Sequence, residues 1–402
     1  MELHKRDIFN EVEPYIGDEG VIVLHGARQV GKTYILLFIK DWLEKKQKKV
    51  FYYDLELSEL LDVFNLGINS FLLDLSNKGY VEGEEVFVLI DEIQYLNNPS
   101  SFLKIIADHN KNIHLIVSGS SSFDIKSKFT NSLAGRTIEF EVFPLSFKEF
   151  LQFKKTEYKY TEEKLSPAAL SAFNEYYSEF IKYGGYPRVV LENDETKKKR
   201  YLSQIIDTYI RKDIRDLANI TDVKKFNGML KVLASQSGQI LNMPALSRET
   251  NLSLPTLKRY LLILEETYVI KLITPYSNSP SVEISKNPKV FMYDSGLQSI
   301  LWLNNFQSVI LGSIFETNIF SELVKKYGRN RVHFWRTKTH LEIDFIVEKD
   351  VNIMPIEVKS NFGQFKFTTM NKFIKRYNVS NFKVVAIEGK KSEKYMFYPW
   401  EI

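Results

Sequence analysis

The segment VIVLHGARQVGKT at 21–33 leaves the chain little choice of local fold. Its apolar, β-branched start reads as a buried strand, and Gly26 and Gly31 allow the backbone to turn tightly. The continuation TYILLFIKDWLEKKQ at 33–47 has the periodicity of an amphipathic helix. A strand that passes through a glycine loop into a helix begins a βαβ unit. Further strands are predicted at 49–56, 85–92, 113–121 and 138–145, with a helix at 101–110. These strands are apolar throughout, as expected of a parallel sheet covered by helices on both faces.

Residues Gly26-Ala27-Arg28-Gln29-Val30-Gly31-Lys32-Thr33 satisfy every required position of a phosphate-binding loop. The amides from Gly26 to Gly31 would donate to phosphate oxygens, and Lys32 would reach the β and γ phosphates. The Thr33 hydroxyl would ligate magnesium at the positive end of a helix. Asp91 ends the apolar run VFVLI, where an acid holds magnesium through water, and the adjacent Glu92 is the candidate base for activating water. Glu92 can also be read as an acid favoured by a helix N-terminus. The expected cofactors are therefore ATP or ADP with Mg2+. His25 is read as a backbone neighbour of the loop.

At 402 residues the chain exceeds a single core. The division read from the sequence is a phosphate-loop core at 1–152, a helical region at 153–225, a winged-helix-like segment at 226–285 and a second α/β domain at 286–402. KKTEYKYTEEKLSP at 154–167 is charged and poorly periodic, as a boundary would be. In the third segment a short helix at 244–249, the turn NLS and a helix opening at Pro255 precede a β-like ending. Arg248, Lys258 and Arg259 flank that turn and could meet backbone phosphates. Winged helices also mediate protein contacts. From 289 onward strands return, beginning with KVFMYD.

In the last domain, residues two apart share a strand face, so Glu342 pairs with Asp344 and Glu357 with Lys359. If those strands are neighbours, Asp344 and Glu357 could share Mg2+ or Mn2+, with Glu316 as a third carboxylate. Lys359 would orient water or stabilise developing negative charge. An E-x-K pair on a strand can equally be a surface ion pair. The basic runs KKKRY at 197–201 and KKYGRNR at 325–331 read as solvated helix faces.

The first set of motifs resembles the AAA+ ATPase superfamily, and within it the archaeal and bacterial ATPases with a C-terminal DUF4143 region. The resemblance implies a polar sensor at Ser120, with Ser118 as the alternative in the cluster Ser118-Gly119-Ser120-Ser121. It makes Arg136, in LAGR at 133–136, a candidate for closing a nucleotide site, its own or a neighbouring subunit's, and Arg188, in GGYPRVV at 184–190, a candidate second sensor; a structural salt bridge is the alternative for either arginine. The order Glu316, Asp344, Glu357-x-Lys359 resembles the PD-(D/E)XK nuclease superfamily, with Ile343 where the nominal motif has proline. The implied fold class is α/β: an AAA+ core, a helical and winged-helix middle, and a restriction-endonuclease-like end. The implied activity is ATP hydrolysis coupled to DNA binding or cleavage, with ATP-promoted homo-oligomers. The rival reading is a regulatory ATPase that holds a protein partner without cutting.

Composition excludes several chemistries. With no cysteine there can be no disulfide, thiolate metal site or cysteine nucleophile. A net charge of +4 does not by itself point to nucleic acid. No stretch approaches 18 uncharged apolar residues, so no membrane span is expected, and a cytoplasmic protein is.

Overall fold

The computed structural model describes residues 3–119, 135–158, 165–213, 220, 222–277, 287–350 and 352–402. The chain divides into two compact units, Met1–Phe143 and Pro144–Ile402. The expected second, third and fourth segments thus fall in one unit, together with residues 144–152 of the first.

The first unit holds β1 (Val21–His25), β2 (Val50–Asp54), β3 (Val86–Asp91), β4 (Ile113–Gly119) and β5 (Thr137–Glu141) in the order β2-β3-β4-β1-β5. Every pairing is parallel. All residues of β1 and β3 are buried, which explains why their sequences do not alternate. Around the sheet run α1 (Phe9–Val12), α2 (Lys32–Lys45), α3 (Ser58–Asn65), α4 (Ile68–Asn77) and α5 (Pro99–His109). The helices α3 and α4 were not read from the sequence. They seat Phe64 and Phe71 against Tyr53 and Phe102, with Phe64 centred 4.9 Å from Phe71 and 5.1 Å from Phe102. This aromatic cluster stiffens the side of the sheet bearing β2 and β3, and so places Asp91.

The second unit opens with α6 (Phe147–Phe153), which starts at a capping box between Ser146 and Glu149. Then come α7 (Pro167–Tyr183), α8 (Pro187–Leu191) and α9 (Glu195–Ile205), the last continuing as a wider-wound turn over Ile206–Asp213. Next are α10 (Val223–Ser235), α11 (Met243–Thr250) and α12 (Leu254–Glu266). Asn242 and Ser253 cap α11 and α12 through their side chains, and Asn251 ends α11 in the left-handed region at φ 53°.

β6 (Ile270–Ile273) pairs antiparallel with β7 (Lys289–Met292). The strand KVFMYD therefore does not begin the C-terminal sheet as expected; its first four residues, all buried, pair with β6 instead. Beyond lie α13 (Ser295–Leu303), α14 (Gly312–Tyr327), β8 (Val332–Arg336), β9 (Glu342–Lys349), β10 (Asn352–Asn361), α15 (Phe367–Tyr377), β11 (Lys383–Glu388) and β12 (Met396–Phe397). The sheet order is β12-β11-β10-β9-β8, antiparallel from β8 to β10 and parallel from β10 to β12. Helix α14 packs on β8, β9 and β10 and on β7. Among the described residues no helix is long and apolar enough to cross a membrane.

Candidate functional site

The phosphate loop follows β1 directly. Gly26 has φ 158°, and a Cβ there would lie 2.1 Å from the Val142 carbonyl oxygen, so the passing chain forces a glycine. Gln29 and Gly31 are left-handed, at φ 62° and 98°, and fold the loop back toward α2. No side chain caps the first turn of α2, whose amides are therefore available to an anion. Lys32 is 5% exposed and donates to the carbonyls of its own loop, Gly26 O at 3.1 Å and Ala27 O at 2.9 Å. Burial pulls its pKa down, against the opposing attraction of Glu92 and Asp91. Uncapped amides, a glycine cradle and a buried ammonium fit the polyphosphate that the motif implies.

Asp91 ends β3 at 2% exposure. Tyr52 Oη donates to its Oδ2 at 3.2 Å, and the Ser118 hydroxyl donates to its Oδ1. Burial first, and then Asp91, push the Tyr52 phenol far above its ordinary value, so it stays a donor. Glu92 adopts the left-handed conformation at φ 56°, which only a few per cent of non-glycine residues do, and Gln94 donates its side-chain amide to Glu92 Oε2. Magnesium binds through one or two carboxylates together with phosphate oxygens and water, and Thr33 at the start of α2 and Asp91 at the end of β3 carry the oxygens that would hold it.

Three contributors escaped the sequence reading. Arg6, 7% exposed, donates to Val30 O at 2.8 Å and to Phe143 O at 2.9 Å, tying the loop to the segment after β5. Tyr52 and Gln94 are the others. Gln94 carries a local signal, two residues beyond Glu92; Arg6 carries none.

Ser120 and Ser121 lie outside the described residues, as do Leu133 and Ala134. Arg136 begins the β5 edge, and its Nε donates to Asp108 Oδ1 at 2.6 Å. Arg188 lies exposed on α8 with its guanidinium 4.0 Å from the Tyr201 ring centre. The glycines before it have a packing reason. Gly184 has φ 78°, a Cβ there would strike the Asp294 carboxylate at 2.2 Å, and Gly185 N donates to Asp294 Oδ2 at 2.7 Å.

In the second unit β9 and β10 are neighbours, as the carboxylate reading required. Val358 N donates to Asp344 Oδ2 at 2.8 Å, and Lys359 Nζ lies 2.7 Å from Glu357 Oε1 and 3.6 Å from Asp344 Oδ2. The expected three-carboxylate metal centre of Glu316, Asp344 and Glu357 needs correcting: among the described residues no group of three or more acidic or histidine side chains converges as a metal site would require. Lys289, brought in by β7, is 2% exposed and lies 3.4 Å from Glu316 Oε1 and 2.6 Å from Glu342 Oε1. Arg336 takes the other Glu342 oxygen at 3.1 Å. Burial opposes the charge on Lys289, but Glu316, Glu342 and Asp344 more than offset it and hold the pKa above the ordinary value. Burial, followed by repulsion from Asp344, pushes Glu316 up to about 8 and Glu357 up to about 7.

Three family models match consecutive parts of the chain: an AAA domain at 18–151, a domain of unknown function (DUF8612) at 174–308, and a domain of unknown function (DUF4143) at 311–400. An uncharacterized protein of Haemophilus influenzae is 27% identical over 380 residues, covering 92% of this chain and 90% of its own length. An uncharacterized protein of Methanocaldococcus jannaschii is also 27% identical, covering 98% of this chain and 91% of its own. Among solved structures, Drosophila ORC bound to DNA aligns at 12% identity and a TM-score of 0.33, over 71% of this chain and 92% of that one. The chain thus carries an AAA domain followed by a DUF4143 region.

Proposed function

We propose that this chain is a magnesium-dependent ATPase that works as a switch, and that its second unit holds a partner protein without cutting nucleic acid. What supports the first half is the loop geometry, with left-handed Gln29 and Gly31, an uncapped α2 and Asp91-Glu92 at the end of β3. What supports the second is that Lys289 pairs with Glu316, the third carboxylate of the expected centre, and that no group of three acidic or histidine side chains converges among the described residues.

The loop amides from Gly26 through Ala27, Arg28, Gln29 and Val30 to Gly31 bind the phosphates. Lys32 exchanges its carbonyl partners for the β and γ oxygens. Thr33 and Asp91 hold magnesium, which when bound neutralises phosphate charge. Glu92 orients the attacking water and accepts its proton. Ser118 is already engaged by Asp91, which leaves Ser120 as the residue to sense the terminal phosphate. Arg136, contributed by a second copy, stabilises the charge that develops on transfer, so ATP promotes self-association; the second-sensor role of Arg188 is read separately, as a fall in kcat in Arg188→Ala.

Glu92→Gln should keep ATP binding and lower kcat about 10²–10³-fold, as loss of a transition-state group does. Lys32→Ala should abolish binding, read by a fluorescent ATP analogue alongside phosphate release. Unchanged turnover in both variants would refute the assignment.

A second reading, DNA cleavage, draws on the convergence of Asp344, Glu357 and Lys359. Labelled duplex, branched and single-stranded DNA offered with Mg2+ or Mn2+ would decide. Cutting that disappears in Asp344→Ala and in Lys359→Ala would establish it. No cutting and no salt-dependent DNA affinity, together with capture of a defined protein, leaves the switch.

A further inference from the structure

The basic run at 197–201 is not a uniform solvated face. Lys197 is exposed, whereas Lys198 is 2% exposed and shares a helix stripe with the buried Leu202 and Ile205. A spacing of four and three puts this ammonium where an amphipathic helix normally carries an apolar residue. Burial lowers its pKa, and Glu179 only partly restores it. That carboxylate is shared: Glu179 Oε1 lies 3.2 Å from Lys198 Nζ and 3.0 Å from Lys154 Nζ. Lys182, a third neighbour, pairs with Glu195 at 2.8 Å. The Tyr183 ring centre lies 4.7 Å from Lys198 Nζ and 5.0 Å from Lys182 Nζ.

These lysines line a cleft of about 750 Å3 formed wholly within the second unit. Ile310, Phe315 and Ile387 supply apolar lining, and the exposed Glu388 also borders it. We propose that this cleft binds a small organic phosphate, with its phosphoryl oxygens against Lys154, Lys182 and Lys198 and its apolar body against Ile310, Phe315 and Ile387. Glu179 sets one carboxylate oxygen against two ammonium groups, whereas Lys182 has its own carboxylate in Glu195, so the local surplus of positive charge lies on Lys154 and Lys198. The partly dry setting strengthens the attraction of that surplus for an anion. Lysines bind phosphate as point charges, and a doubly charged group meets three of them better than a carboxylate does. A volume within the usual range of small-molecule pockets selects a metabolite-sized ligand. This site is separate from the phosphate loop and does not depend on ATP hydrolysis.

The test uses the full chain carrying Lys32→Ala, so that the phosphate loop does not compete. Phenyl phosphate, inorganic phosphate and benzoate are titrated by calorimetry at constant ionic strength. Phenyl phosphate should bind with one site, tighter than inorganic phosphate, and benzoate should bind weakest. Adding Lys198→Met should weaken phenyl phosphate by about tenfold or more, the cost of one charge-assisted contact. Methionine suits the apolar stripe and Glu179 keeps Lys154, so the ligand-free variant should melt no lower than its parent. If Lys198→Met does not fold, Lys154→Gln gives the same comparison. Absence of saturable binding, or affinity unchanged in both variants, overturns the site. Benzoate binding as tightly as phenyl phosphate overturns the ligand class. A lower melting temperature with no effect of phosphate makes Lys198 a structural ion pair only.

Discussion

Lys32 and Lys289 are both buried lysines beside carboxylates, at 5% and 2% exposure, but their partners differ in kind. Lys32 rests on two neutral carbonyls of its own loop, with Asp91 and Glu92 acting on it only through space. Lys289 makes ion pairs with Glu316 and Glu342. A neutral carbonyl gives up an ammonium to phosphate at modest cost, because the net worth of such a hydrogen bond is about 1 kcal/mol. A buried carboxylate does not, because its desolvated charge would be left alone. The first site is therefore built to receive charge from outside, and the second has supplied its own. Between these two sites the partner of the lysine makes the difference; a carboxylate that serves two ammonium groups, as Glu179 does, still leaves a surplus for an incoming anion.

The largest effect that could break this contrast is expected at the second site. Above about pH 8, where Glu316 is ionised, Lys289→Ala leaves Glu316 unpaired and Glu342 with Arg336 alone, and should destabilise the second unit by about 3–5 kcal/mol, measured by urea denaturation. Unchanged stability would mean that the cluster is not internally neutralised. The same cluster has a pH signature. The Glu316 carboxyl is raised from 4.5 to about 8 by burial and by Asp344, so the folded state binds a proton that the unfolded state has lost. Its contribution is complete below 4.5 and disappears as pH rises through about 8, so stability falls across that window. Glu316→Gln should flatten that fall, and a slope identical to that of the parent would show that Glu316 is not its source.

A smaller effect tests whether the first site depends on support from outside its motif. Arg6→Ala removes the donors to Val30 O and Phe143 O and leaves a buried carbonyl of the loop unsatisfied. The expected cost is about 1–3 kcal/mol in stability, with a raised KM for ATP as the loop loosens. An unchanged KM beside that stability loss would show that the loop holds its shape without Arg6.

Legibility in the sequence followed contact range. The phosphate loop and Asp91 were readable because strand, glycines, lysine and helix are contiguous, so local geometry alone specifies the cradle. The adjacency of β9 and β10 was readable because alternation put Asp344 and Glu357 on compatible faces. What escaped was carried by distant partners. Lys289 looked like the first residue of a C-terminal strand, and nothing local says that β7 pairs with β6 and delivers its ammonium to α14. Arg6 reaches Val30 across the first helix and strand, with no pattern to announce it. Lys198 sat inside a run of lysines, and only the burial of Leu202 and Ile205 on the same stripe separates it from its neighbours.

The smallest expected effect concerns Gln94, and it sharpens the contrast most. In the second site a charged group restrains each acid, whereas in the first an uncharged amide restrains Glu92. An amide hydrogen bond directs a carboxylate without tying it into an ion pair, which suits a group meant to meet an attacking water. It engages Oε2 of Glu92. Gln94→Ala should therefore lower kcat by about tenfold, at the low end for mispositioned acid–base groups, while KM for ATP stays within about twofold. Gln94→Glu has the same length but sets two carboxylates against each other and should not rescue the rate. An increase in kcat in Gln94→Ala would reverse the assignment, since the amide would then be holding Glu92 away from the reacting water. A proportional rise in KM would instead place Gln94 in the support of the loop, alongside Arg6.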